Sequence, residues 1–146
     1  MRFKDGLLSQ LQDFQKWSAT GAQAGDVSLL DYVGFIGTLD TLVAYAELFF
    51  PELVIHDNSR FLASGFSTEL YATWAAKGLS SREIQRVMNH VHISTLMQHQ
   101  YVSDEAAVEC ARILADLWNR TLGSEGLVAE ALGTDLADAA VTFCEA

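Results

Sequence analysis

The residue types best suited to chemistry cluster in Asn89-His90-Val91-His92, with His99 seven positions further on. Imidazole titrates near neutrality, so such residues serve as general bases, proton shuttles or metal ligands. On a helix, His90 and His92 would point about 200° apart and could not share an ion; in an extended segment they would face the same side. A metal here therefore requires a helix to break. His92 and His99 fit one helical face but lie two turns apart, about 10.5 Å of rise, too far for one ion. No His-Glu-x-x-His, Cys-x-x-Cys or EF-hand loop occurs, so neither a metal nor a cofactor is expected. A small hydrolase using the His90/His92/His99 region stays open as an alternative; it requires a pocket where one of these rings meets an orienting carboxylate. Otherwise they are core or interface histidines.

Other chemistries have weaker support. Neither Gly-x-Ser-x-Gly nor a catalytic-cysteine signature is present, and the serines fall mostly at helix caps. The glycines of Gly123-Ser124-Glu125-Gly126 and of residues 21–25 have no Lys or Arg at phosphate-cradling spacing. Asp135 and Asp138 are close in sequence, as a solvated loop would also have them. Cys110 and Cys144 are too few for a disulfide framework and read as buried thiols in a reducing compartment.

Charge carries more information. Nineteen acids against nine Lys and Arg leave a net charge of −10. That balance disfavours nucleic acid, whose phosphates need a cationic surface. No base stands between Lys16 and Arg60, nor from Thr121 to Ala146. If the C-terminal segment packs beside the second helix and its hairpin, the acids of these two base-free segments form one negative face that steers a basic protein partner, with Glu52, Asp57, Glu125, Glu130, Asp135 and Asp138 as the candidate contacts. The competing explanation is solubility.

These residues need a scaffold, and 146 residues that are 50% apolar suffice for one domain, residues 1–146, with its own core. Phe3, Leu7, Leu11 and Phe14 mark a first helix ending near Trp17, followed by a loop over 18–26. Ser28 caps a second helix that runs to Phe50 before Pro51. This is the most apolar stretch, but Asp31, Asp40 and Glu47 make it a poor membrane span, so a buried central helix is expected. Gly34 and Gly37 within it suggest a close helix crossing or the approach of a ligand to backbone. The 53–62 segment reads as a hairpin turning at Asp57-Asn58-Ser59.

A third helix follows Ser67 or Thr68 and stops at Gly78; Ser80-Ser81-Arg82-Glu83 matches a capping box for a fourth, with Ile84, Val87, Met88 and Val91 as its buried stripe. Thr95 to Gln100 forms a short helix with Ser94 as a possible cap. Ser103 caps a fifth long helix with Ala107, Cys110, Ala111, Leu114, Leu117 and Trp118 inward and Glu109, Arg112, Asp116 and Arg120 off that face, ending at Gly123. Residues 127–144 fit two strands or a weak helix, and Val141-Thr142-Phe143 favours strand. The expected fold is mainly α, about five helices with a small antiparallel sheet built from two short hairpins.

Glu47-Leu48-Phe49-Phe50-Pro51-Glu52-Leu53-Val54, Asn89-His90-Val91-His92 and Val141-Thr142-Phe143 together resemble small bacterial proteins of uncharacterised role, of the immunity type in polymorphic-toxin systems. That resemblance implies a cytoplasmic inhibitor that binds a toxin and has no catalysis of its own; it assigns no residue roles. The expected function is thus an acidic protein-binding module, plausible as an immunity-type inhibitor of a basic toxin domain. The alternative class is a homo-oligomeric structural or adaptor protein, since excess apolar surface is commonly covered by a second copy of the chain. The polar N-terminal sequence lacks a signal-peptide core, consistent with a cytoplasmic location.

Overall fold

A computed structural model of the chain describes residues 7–20 and 28–146. Among these are seven α-helices and two antiparallel sheets, one of two strands and one of three. The mixed α and β composition goes beyond the mainly helical expectation in one respect: the two hairpins belong to separate sheets, and the second gains a third strand.

The best-packed unit is built on the C-terminal hairpin. β4 (Leu127–Leu132) and β5 (Ala140–Glu145) pair from Leu127↔Glu145 to Leu132↔Ala140, which decides for strand over helix. β3 (Val91–His92) joins the other edge of β5 through Val91↔Val141. β5 is therefore central and covered on both faces. Val141 and Phe143 face α7 (Asp104–Leu122), packing with Leu114, Trp118 and Leu122. On the opposite face Thr142 donates to the Arg86 carbonyl at 2.7 Å, beneath α5 (Ser81–Met88). Asn119 of α7 completes β4 by donating to Ala129 O at 2.9 Å and accepting from its N–H at 2.8 Å.

The first hairpin, β1 (Leu53–His56) and β2 (Ser59–Leu62), turns on Asp57 and Asn58, both at positive φ, the geometry of a two-residue turn. Phe61 packs there with Tyr71 of α4 (Thr68–Ala76) and Ile84 of α5. The caps stand as expected: Ser67 for α4, the reciprocal Ser80–Glu83 box for α5 and Ser103 for α7, with Gly78 at φ +82 after α4.

Several expectations fail for identifiable reasons. The short helix after His92 is α6 (Ile93–Leu96), begun without a side-chain cap, so it starts earlier than Thr95 and Ser94 lies inside it. In α5 the buried pair is Ile84 and Gln85, while Val87 faces outward. Glu109 is only 3% exposed, on the inner side of α7 rather than off it. Arg112 pairs with it there through two bonds, Nε at 2.9 Å and Nη2 at 2.6 Å, and bonds Asp116 at 2.7 Å through Nη1.

The largest correction concerns the N-terminal third. The expected first helix divides into a 3-10 turn (Leu8–Gln10) and α1 (Gln12–Ala19), while Phe3 and most of the 18–26 loop fall outside the described residues. The expected single helix from Ser28 to Phe50 is two, α2 (Leu29–Ile36) and α3 (Leu39–Phe49). Gly37 leaves the helical region, and Thr38 starts α3 through a reciprocal box with Thr41, a local signal as good as Ser80–Glu83. Neither helix is buried. α1, α2 and α3 contain no buried residue among those described, so the apolar stretch is not a central core helix.

Candidate functional site

The acidic candidates are drawn together only in part, and other elements answer several of them. Arg60 of β2 reaches across to Glu125 at 3.2 Å and to Glu145 at 4.0 Å, and Arg86 of α5 pairs with Glu130. Segments without a base in sequence thus acquire bases from elsewhere. Asp135 and Asp138 close their own turn: Asp138 accepts from the Thr134 and Asp135 amides at 2.8 and 3.1 Å, Asp135 from those of Ala137 and Asp138 at 2.8 and 3.2 Å. Those amides hold Asp138 below the usual carboxylate range. Glu52 and Asp57 are exposed beside the first hairpin, Asp57 near the His56 ring at 3.9 Å.

The break that the histidine pair required is present. α5 ends at Met88, Val91–His92 is strand, and the His90 and His92 rings lie 4.5 Å apart. His90 Nε2 is buried without a hydrogen-bond partner, and burial first, then the neighbouring His92, lowers its pKa. His90 therefore favours the neutral imidazole. No group of three His, Cys, Asp or Glu poised for a metal occurs among the described residues. His99 lies elsewhere, lining a cleft of about 520 Å³ with Asp13, Tyr101, Ser103 and Cys110. Burial first, and then Glu109, raise the Cys110 thiol, the direction opposite to nucleophile activation.

Two structural polar residues escaped sequence reading. Asn89 is fully buried; its Oδ1 accepts from Leu62 N–H at 2.9 Å, and its Nδ2 donates to Arg60 O at 3.1 Å and Phe143 O at 3.2 Å. Gln85 beside it donates to Arg60 O and accepts from Glu145 N–H, both at 3.2 Å. They splice the two sheets together. Their signal in sequence is no more than two amides flanking an apolar stripe.

The surface least expected from the sequence is apolar. Leu30 is 78% exposed, Leu39 76%, and Phe35 and Leu42 66% each, with Val33, Ile36, Val43 and Tyr45 more than half exposed beside them. Leu48 of α3 packs against the core beside α7, Thr121 donates to Phe49 O at 3.5 Å, and two further bonds hold the region to the body. Trp118 Nε1 donates to Leu48 O at 2.9 Å at the end of α3, and Ser103 donates to Gln10 at 2.6 Å ahead of α1. Between them Phe14, Trp17, Tyr32 and Phe35 make an aromatic ladder that ties α1 to α2, with centroids 5.3–6.3 Å apart. Gly34 was expected at a helix crossing or a ligand contact; no heavy atom of the described residues stands within 4 Å of where its Cβ would be. Gly37 serves the chain break instead, where a Cβ would press on Val33 O at 2.5 Å.

No helix among the described residues is long and apolar enough to cross a membrane. No protein-family model matches the chain, and no curated protein or solved structure matches it significantly.

Proposed function

We propose that this chain works by binding another polypeptide, and that its working surface is the exposed apolar side of α2 and α3. The observation that carries this reading is the concentration of large exposed apolar residues on two capped helices with no buried residue. Monomer surfaces rarely carry a contiguous apolar patch beyond about 300–600 Å² unless it binds something. An acid-led contact with a basic toxin domain is a second reading, favoured by the net charge of −10 and the exposed Glu52. It has fewer free carboxylates to use, since Glu125 and Glu130 already face arginines.

A photo-crosslinking residue placed at Phe35 or Leu42 tests the apolar reading in cells producing the protein. Ile55, 72% exposed on β1, is the matched control. The α2–α3 positions are expected to capture polypeptide at least several-fold more than Ile55. Equal yields at all three positions overturn the reading. For the acidic alternative, Glu52→Lys with Asp57→Lys would slow association with a basic partner and flatten its salt dependence.

A further inference from the structure

We infer that the polypeptide covering α2 and α3 is a second copy of this chain, the two helix pairs packing against each other about a twofold axis. This rests on the reading of that face as a protein-binding surface and names its occupant. Area is the first argument. The ten large side chains exposed between Leu30 and Phe50 each present on the order of 100 Å², hence about 1,000 Å² per chain, against about 800 Å² per partner in a standard stable interface.

Charge is the second argument. Asp31 is held at the start of α2 by Ser28, Asp40 lies in the first turn of α3, and Glu47 near its end reaches the Glu52 amide. Between them, Tyr32 to Leu39 and Thr41 to Ala46 carry no charge at all. A basic partner finds no charge to pair with in those two stretches, whereas an identical apolar surface can cover them, with the exposed Asp31, Asp40 and Glu47 of both copies kept outside the twofold contact. A membrane surface fits less well, because interfacial helices set Lys and Arg beside the apolar face and none occurs between Lys16 and Arg60. The open space over Gly34 then has a use, since a neighbouring helix can approach the backbone there.

Light scattering over a dilution series of the purified full chain reads the outcome. Wild type is expected to have the mass of two chains at high concentration, and Leu42→Glu the mass of one. Hydrogen exchange of the β5 amides Val141 and Phe143 confirms that the variant keeps its core; Val33→Glu is the substitute if Leu42→Glu does not fold. Gly34→Leu weakens association if helices cross there. A wild type of single-chain mass at every concentration overturns the inference, as does a Leu42→Glu variant that keeps the two-chain mass. Flotation of single chains with neutral or anionic vesicles rejects it in favour of a lipid surface. The crosslinking experiment separates the two levels: products containing only other proteins, with a single-chain purified protein, reject the second copy and keep the surface. No excess over Ile55 removes the surface itself.

Discussion

The N-terminal helices and the C-terminal half use apolar residues in opposite ways. α2 and α3 are the more apolar by sequence, yet contain no fully buried residue, Leu48 alone packing half-buried against the core; β5 and α7 alternate apolar with polar or small residues and form the core. Residence in the core depends on a partner surface more than on apolarity. β5 has one on each face, α7 with Trp118 and α5 with Asn89 just after it, whereas α2 packs against the aromatic edge of α1. The proposed function gives such an unburied apolar segment its partner outside the fold.

The sharpest way to break this contrast is to truncate one large side chain in each region. Trp118→Ala removes a ring that is 1% exposed and packs edge-on against Phe143, and should cost about 3–5 kcal/mol in urea unfolding. Leu42→Ala, measured at dilution that favours single chains, should shift stability by no more than about 0.5 kcal/mol. Similar losses would mean that α3 belongs to the core after all. Asn89→Ala is next. It strands the Leu62 amide, removes a donor from the Phe143 carbonyl and leaves Arg60 O to Gln85 alone, and should cost about 2–3 kcal/mol, a buried donor without a partner being the main cause.

Identical local chemistry in the two regions gives a finer comparison. Ser28 with Asp31 and Ser80 with Glu83 are both reciprocal capping boxes. Ser80→Ala should lower global stability by about 1 kcal/mol, because α5 unfolds only with the core. Ser28→Ala in the dilute single chain should leave the urea midpoint unchanged and raise amide exchange in α2 alone.

The smallest expected effect is a pH dependence confined to the C-terminal half. His90 has a folded pKa lowered from 6.5, by burial and then by His92, so the unfolded chain binds the proton more readily. Its contribution is complete above pH 6.5 and is lost as pH falls from there through the lowered folded value. His90→Asn should flatten that part of the stability curve, and hydrogen exchange in α2 should not follow it. An unchanged slope in the variant would assign the effect to other groups.

Signals that span a few residues were legible in the sequence alone: the Ser67, Ser80–Glu83 and Ser103 caps, the stop at Gly78 and both hairpins. Each depends on one hydroxyl, one turn or one alternating strand, and needs no distant partner. The Thr38–Thr41 box was equally local, but its place inside a long, mostly apolar stretch hid it. Tertiary structure alone decided which polar groups are core and which acids are free. Asn89 and Gln85 are buried because backbone amides and carbonyls up to 60 positions away converge on them, and Arg60 and Arg86 cross the fold to reach Glu125 and Glu130. It also decided that the most apolar helices stay outside, because burial depends on the surfaces that meet, and α7 with α5 had already covered both faces of β5.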